Sequence, residues 1–458
     1  MCGFGNTGNN WKGVVMRNVY MSFLGRGGYD KERKCYDYRP TRYMLDGRES
    51  SETRFVQVAE MELLSGKSFD LVLILCTKQS KADHFQKVQR EMEHLHVFPE
   101  ALLIDDDLGS RGQWDLFEKL LACIEHEDRL TVDLTHGFRS TAIVFSAAIN
   151  FLQRARKIHL EAVYYGAFEM DNARPPIIDM KDFYVVNEWA EAVSRLVEDA
   201  DARKLAEVAD QSSGFQAGEL NDKALVMALE ELTNAVRNVE VNTVAERANR
   251  ALAQVEQRRD GASVSGKLLL GLVVDKFASL STQTPVSGHY DADYFQVQLA
   301  IARLLLEHRL YMQAFTVMRE SIGSLALIPR KELRMTNSEG RKRRARYGDV
   351  FIQMMHWPRE EWTFSPENQV RVNKLTPLYE ELERLHVVGR IRGVMEDLSN
   401  FRNGFDHAWT SRVADFENIK SRGNHILAEL EAVFAAISRS GLLSDHGSGT
   451  DDQQGNRV

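Results

Sequence analysis

The stretch Asp70–Cys76, which reads DLVLILC, decides the fold class. After its aspartate it is an unbroken apolar run, with no alternation between apolar and polar residues. Such a run is typical of a strand that is buried on both faces, as in a parallel sheet covered by helices on each side. A helical pattern over Lys81–His94 follows it. The stretch therefore predicts a β-then-α unit of an α/β domain.

The same unit recurs on both sides of this stretch. Strands are predicted at Arg17–Leu24, Ala101–Ile104, Arg129–Leu134 and Ile158–Tyr165, and helices at Phe55–Leu63, Trp114–Ile124 and Ser140–Arg154. Repeated β-then-α units predict a parallel sheet with right-handed crossovers, and hence a Rossmann-like domain over residues 16–186. One more strand is predicted at Lys181–Val186.

The pattern changes after residue 186. No proline occurs from Ile177 to Thr284, and long helical patterns continue to about residue 440. We expect an all-α region over residues 187–440. The glycine-rich residues 1–15 are expected to be a flexible leader, and the polar residues 441–458 a disordered tail.

Composition narrows the class of protein. The chain has 458 residues, of which 43% are hydrophobic and 27% charged, as is typical of globular domains. Its formal net charge of −8 argues against a stable complex with duplex DNA, although a local basic groove stays possible. The four cysteines form no C-x-x-C motif, so we expect no metal site and a reducing, cytoplasmic environment. The uncharged stretch Ser140–Gln153 is shorter than the ~20 residues that cross a bilayer, so no membrane association is expected.

Three loops follow predicted strands, at the edge where open α/β sheets bind ligands. They are Ser22–Gly27, Thr77-Lys78 and Asp133–Ser140. The third loop places a hydroxyl, an imidazole, a glycine and an arginine where a helix begins, a combination that suits a phosphate group. The same residues also suit an ordinary strand-to-helix turn, with threonine as the cap and glycine for backbone geometry.

The third loop carries a recognisable motif. Its residues Asp133-Leu134-Thr135-His136-Gly137 spell D-x-T-H-G, and with Phe138-Arg139 they resemble the CRISPR-associated DxTHG family. The segment Ser22–Gly25, Tyr29 and Thr53–Phe55 are similar to the first unit of that family. The resemblance covers roughly residues 16–186.

This resemblance implies a CARF domain, which is the Rossmann-like sensor domain of CRISPR-associated proteins. Such domains dimerise and bind cyclic oligoadenylate across the dimer axis, where a two-fold site suits a two-fold ligand. The resemblance implies that the ligand is bound by residues of the three loops: Ser22, Gly25, Arg26, Gly27, Thr77, Lys78, Asp133, Thr135, His136, Gly137, Phe138 and Arg139.

A second motif lies in the helical region. Arg402 and His407 fit the R-x4-6-H motif of HEPN ribonucleases, and Asn403 strengthens the resemblance to R-N-x-x-x-H. Histidine can carry a proton near neutral pH and arginine can stabilise the phosphate as a 2′-OH attacks it, so RNA can be cut without a metal. On a helix Arg402 is rotated by about 140° from His407, so we expect two copies of the chain to form the site together.

Other interpretations of this motif stay open. Arg303 and His308 also fit its spacing, although the leucine run that follows Arg303 favours core packing. His407 alone is also compatible with an ordinary surface histidine.

A basic cluster also lies in the helical region. It predicts a loop around Asn337, Ser338 and Gly340 that binds single-stranded RNA or is simply solvated, with the candidate contacts Arg341, Lys342, Arg343, Arg344 and Arg346. Trp357, Trp362 and Trp409 are candidates for stacking on bases or for packing in the core.

Together the two motifs predict a homodimeric or larger endoribonuclease that needs no cofactor and leaves 2′,3′-cyclic phosphate ends. Cyclic oligoadenylate would be its allosteric activator and single-stranded RNA its substrate. One alternative is a non-catalytic sensor or RNA-binding scaffold, and another is an enzyme that degrades the cyclic oligoadenylate. A dinucleotide-dependent dehydrogenase is disfavoured because Gly25-Arg26-Gly27 is not followed by a third glycine at the required place.

Overall fold

The computed structural model describes residues 16–32, 34–106, 109–137, 139–171, 173–211, 220–281, 288–330, 338–410 and 416–443. The leader expected at residues 1–15, Phe138, and residues 444–458 of the expected tail lie outside these ranges. The chain divides into two compact units between Val186 and Asn187.

A sheet forms the centre of the first unit. Within the described residues it has six strands in the order β10-β9-β8-β1-β6-β7, all parallel to their neighbours except β10. These strands are β1 (Asn18–Leu24), β6 (Leu71–Cys76), β7 (Glu100–Leu103), β8 (Arg129–Asp133), β9 (His159–Gly166) and β10 (Ile177–Asp179). Two small hairpins follow β1 and are formed by β2 (Gly28–Asp30), β3 (Cys35–Asp37), β4 (Met44–Leu45) and β5 (Arg48–Glu49). The predicted Rossmann-like α/β architecture is confirmed.

Helices cover both faces of this sheet: α1 (Val56–Leu63), α2 (Lys78–Ser80), α3 (Gln86–Glu93), α4 (Ser110–Cys123) and α5 (Arg139–Ala155), with a π-helix at Lys81–Phe85. Strand β6 shows why its sequence is apolar throughout. Leu73 and Leu75 pack in the cluster that holds apolar residues of α4 and α5, whereas Val72 and Ile74 pack in the cluster with α1 and α3. Each buried side chain contributes about 1.5–3 kcal/mol, so both faces of the strand stabilise the unit.

The strand predicted at Lys181–Val186 is wrong. Helix α6 occupies Asp182–Asp199, and the edge strand β10 lies earlier. The β-branched pair Val185-Val186 suggested a strand, but the fully buried Trp189, Val193 and Leu196 repeat at helical spacing. Burial of that face therefore decides the local structure.

The second unit consists of helices, as the sequence predicts. Its further helices are α7 (Arg203–Gln211), α8 (Lys223–Arg237), α9 (Val241–Arg259), α10 (Val264–Phe277), α11 (Ala292–Glu307), α12 (Tyr311–Ser324), α13 (Ser338–His356), α14 (Pro366–Arg384), α15 (Val388–Asp406) and α16 (Phe416–Arg439). Aromatic pairs join the central helices: Phe295 of α11 stacks on Phe434 of α16 at 4.6 Å, and Phe315 of α12 packs on Phe401 of α15 at 4.9 Å.

Candidate functional site

A cavity of about 1540 Å³ opens at the carboxyl ends of the central strands. Strands β6, β1 and β8 are neighbours in the sheet, so the loops that follow them meet at one edge. The cavity is lined by residues of all three predicted loops: Gly25, Arg26, Gly27, Thr77, Thr135, His136 and Gly137. The structure therefore brings together residues that are more than 100 positions apart in the sequence.

Other residues predicted for this site lie elsewhere. Ser22 and Asp133 are fully buried behind the cavity wall. Lys78 is exposed and does not line the cavity. Phe138 lies outside the described residues, and of Arg139 only the backbone is described, at the start of α5.

Asp133 organises the loop from beneath. Its Oδ2 accepts a hydrogen bond from the Ser22 hydroxyl at 2.5 Å, and its Oδ1 accepts from the backbone N–H of Thr135 at 2.9 Å and from the Thr135 hydroxyl. The Thr135 oxygen in turn accepts from the backbone N–H of Gly166 at 2.8 Å. Burial raises the pKa of Asp133 to about 6, although these hydrogen bonds favour the carboxylate. Asp133 therefore supports the loop from behind and does not line the cavity.

His136 faces the cavity between aromatic rings. Its ring centroid lies 4.7 Å from that of Tyr38 and 6.2 Å from that of Phe168. Burial lowers the pKa of His136 to about 4, so the imidazole is neutral at pH 7 and is a weak base. Within the described part of the chain its Nε2 has no hydrogen-bond partner. This nitrogen is buried, and the low basicity of the ring makes it a poor proton acceptor for catalysis.

Two glycines of the site cannot be replaced without strain. Gly27 has a φ of +74°, and a Cβ on it would lie 2.5 Å from the backbone oxygen of Asp37. A Cβ on Gly137 would lie 2.7 Å from Oγ1 of Thr141. Both loops therefore run too close to their neighbours for a larger residue.

Arg26 is held at the cavity wall by contacts on three sides. Its Nε lies 3.1 Å from Oδ2 of Asp83, and its guanidinium lies 4.1 Å above the ring of Tyr36. Its carbonyl oxygen accepts a hydrogen bond at 3.0 Å from Nε2 of the buried His84. An anionic ligand would have to compete with Asp83 for this arginine.

Part of the cavity wall was missed by the sequence analysis. Tyr38, Arg39, Arg54 and Phe168 line it as well. Arg54 donates to Oδ2 of Asp37 at 2.6 Å, beside the hairpin of β2 and β3. The resemblance of Thr53–Phe55 to the DxTHG family was a signal for Arg54, but no motif marked the other three residues.

The second candidate site lies at the carboxyl end of α15. Arg402 does not point to His407 but forms an ion pair of 2.8 Å with Asp406. Asn403 and His407 are exposed, and the backbone N–H of His407 donates to the carbonyl of Asn403 at 3.0 Å. Within one chain, therefore, the guanidinium and the imidazole do not converge.

The rival pair Arg303 and His308 is held by structural contacts. Arg303 forms an ion pair with Glu431 at the α11–α16 packing surface, and Nδ1 of His308 bonds to the carbonyl of Glu198. Burial lowers the pKa of His308 below its usual range. These contacts disfavour a catalytic role for the pair.

The basic cluster lies on helix α13, so the loop expected around Ser338 and Gly340 is wrong, and Asn337 lies outside the described residues. Arg341, Lys342 and Arg346 are exposed, and Arg343 donates to Glu339. Arg344 differs from them.

The side chain of Arg344 is only 13% exposed. It donates to the Ser324 hydroxyl and to the carbonyl of Glu320, both at 3.0 Å, and also pairs with the Glu320 carboxylate. Arg344, which was predicted to contact RNA, therefore bridges α12 and α13 instead.

Across the described ranges, no three His, Cys, Asp or Glu side chains cluster so as to hold a metal ion. Nor does any helix in the described portion combine the length and the hydropathy needed to span a membrane.

Comparison with curated proteins gives one relevant relative. CRISPR-associated protein MJ1674 of Methanocaldococcus jannaschii is 16% identical to this chain over 211 residues, which are 46% of this chain and 30% of that protein. The chain is similar to a CRISPR-associated protein. This finding confirms the resemblance that the D-x-T-H-G motif indicates, but the match spans less than a third of the relative.

No family model matches the chain. The solved structure of Enterococcus italicus Csm6 bound to cyclic hexa-2′-fluoro-hexa-dAMP aligns with 93% of this chain and 97% of that chain, at 10% identity and a TM-score of 0.41. This TM-score is too low to establish a shared fold, so nothing about this chain follows from it.

Proposed function

We propose that this chain is an endoribonuclease of type III CRISPR defence that cyclic oligoadenylate activates and that needs no metal. The observation that carries the proposal is the cavity in which the Thr135-His136-Gly137 turn meets the Gly25–Gly27 loop and Thr77. The D-x-T-H-G motif and the CRISPR-associated relative support the choice of ligand.

The chemistry of the cavity suits a nucleotide ring. The glycines allow the backbone to approach a ligand closely, and the first turn of α5 favours negative charge. Arg39 supplies positive charge, Arg26 and Arg54 would do so once a ligand competes with Asp83 and Asp37, and the rings of Tyr38 and Phe168 supply aromatic surface. In the proposed homodimer, two such cavities would face one symmetric ligand.

The proposed reaction needs two groups at the scissile phosphate. One histidine removes the proton from the 2′-OH, whose oxygen bonds to phosphorus while the bond to the 5′-oxygen breaks. That oxygen takes a proton from a second, protonated histidine, which the other chain of the proposed homodimer would supply, and a 2′,3′-cyclic phosphate remains. We assign His407 to proton transfer, Arg402 to the phosphate charge and Asn403 to positioning. Because Asp406 neutralises Arg402 in the single chain, pairing of two chains would have to redirect this arginine.

Ligand binding would shift the equilibrium between chains whose Arg402 and His407 are aligned for catalysis and chains in which they are not. A ring that binds more tightly to the state with aligned Arg402 and His407 favours that state by its difference in affinity. The alternative, a sensor or scaffold that binds RNA without cutting it, requires no such alignment.

A cleavage assay tests the proposal. Labelled single-stranded RNA is incubated with the full chain, with and without cyclic tetra- or hexa-adenylate, and with EDTA. We expect RNA cleavage that requires the cyclic oligoadenylate and persists in EDTA. The cleavage rate should fall roughly 100-fold or more in His407→Ala. His425→Ala is the matched control, because His425 is an exposed histidine of the same unit. Full activity of His407→Ala would refute the assignment, and RNA binding without any cutting would favour the scaffold.

A further inference from the structure

The exposed surface of the helical unit has an aromatic corner between α13 and α15. Trp357 directly follows α13 and is 50% exposed. The ring of His356 packs against its indole at 4.6 Å. The Trp357 carbonyl accepts hydrogen bonds from Nε1 of Trp362 at 3.1 Å and from Arg392 at 3.4 Å. The indole is therefore held outward on a fixed backbone.

The same corner carries a positive charge that is not neutralised. The guanidinium of Arg392 donates to two neutral oxygens, the Trp357 carbonyl and the Tyr379 hydroxyl at 3.0 Å. Its Nε is buried without a hydrogen-bond partner, and the contacts of Arg392 among the described residues are to these two neutral oxygens and include no carboxylate within ion-pair distance. An exposed indole beside an uncompensated guanidinium suits a base and its phosphate.

The corner is connected to the candidate catalytic residues by one helix. Arg392, Ser399 and Asn403 lie at positions i, i+7 and i+11 of α15, and so share a face. Along the axis Arg392 is about 17 Å from Asn403, which a few nucleotides of an extended strand can span. Glu396 also lies on this face, so the middle of the helix does not attract a phosphate backbone. An RNA strand that follows this face of α15 would therefore be held at its two ends, near Arg392 and near Asn403.

We propose that Trp357 and Arg392 form a subsite for single-stranded RNA, in which one base of the substrate stacks on Trp357 and an adjacent phosphate contacts Arg392. The scissile phosphate lies further along the same strand, at Arg402 and His407. This inference rests on the proposed ribonuclease function and names where its substrate binds. The subsite selects unpaired RNA, because a base inside a duplex cannot stack on an indole.

Binding is measured apart from cutting, in full-length His407→Ala with a fluorescein-labelled single-stranded RNA of mixed sequence. Adding Trp357→Ala should weaken binding about tenfold or more, as measured by fluorescence anisotropy, because stacking on one aromatic ring is worth this much. Trp357→Phe, which retains a ring, should recover most of the affinity. Leu268→Ala is the control, because Leu268 is a 68% exposed apolar residue of the same unit and should leave binding unchanged.

Arg392→Gln gives a second readout. This variant can still donate to the Tyr379 hydroxyl but has no charge, so the slope of log affinity against log salt should become shallower by about 0.7. A change within twofold in Trp357→Ala, with an unchanged salt slope in Arg392→Gln, would overturn the subsite and leave the corner to a protein partner. Failure of the His407→Ala parent to bind RNA would overturn the proposed function as well, so the two failures are distinguishable.

Discussion

Thr135→Val tests whether one hydroxyl holds the carboxyl edge of the sheet together. Valine keeps the shape of the side chain but removes the hydrogen bonds to Asp133 and to the N–H of Gly166, both of which are buried. Losing a hydrogen bond to a charged group and leaving a buried N–H unsatisfied should together cost about 2–4 kcal/mol. For a unit of this size, that loss corresponds to a fall in Tm of roughly 5–15 °C.

Scanning calorimetry of the full chain measures this effect, and titration with cyclic oligoadenylate shows whether the affinity falls with it. Thr131→Val is the control, because Thr131 is a 2% exposed residue of β8, the strand that leads into this loop, and its hydroxyl bonds to no other described residue. We expect little change in Tm there. A Thr135→Val chain that unfolds and binds like the control would refute the role assigned to the buried network.

Three further predictions concern other parts of the molecule. Gly27→Ala should weaken ligand binding in a titration, since the left-handed backbone costs about 1–2 kcal/mol and the new Cβ clashes with the facing strand, whereas Gly28→Ala has open space and should not. Arg344→Gln should lower the free energy of unfolding of the helical unit by about 1–3 kcal/mol, and Lys342→Gln should leave it unchanged in the same urea titration. Because the pKa of His136 is about 4 when folded and 6.5 when unfolded, the stability that it contributes above pH 6.5 is lost as the pH falls toward 4. Acidification from pH 7 to 5 should therefore destabilise the wild type by about 2 kcal/mol more than His136→Gln, and equal losses in thermal melts would contradict this.

The sheet was predictable because a strand that is buried on both faces has apolar residues at every position, and such a run is visible in the sequence. Leu73 and Ile74 face opposite helical layers, and each layer requires an apolar residue. Lys181–Val186 resembled a strand because of its β-branched pair Val185-Val186, but the buried helical face that includes Trp189, Val193 and Leu196 decides the structure. Local propensity was outweighed there by packing.

The candidate site was predictable only in part, for a similar reason. The glycines and Thr135 belong to short loops whose geometry requires particular residue types. Phe168 reaches the cavity because the sheet brings it beside His136, 32 positions earlier, and no local pattern reports such a contact. Arg344 likewise looked like its basic neighbours, since charge alone does not reveal a partner in another helix.

Because Asp133 is buried behind the cavity, the residue that supports the loop is separate from the residues that line the cavity. Asp133 supports the loop, while its neighbours Thr135 and His136 line the cavity. Under the proposed function, a substitution at His136 or in the β2–β3 hairpin would change how the cavity fits a cyclic oligoadenylate without removing the support of the loop, whereas replacement of Asp133 would remove that support. Under that function, changes of ligand preference are expected to come from substitutions in the cavity wall and not at Asp133.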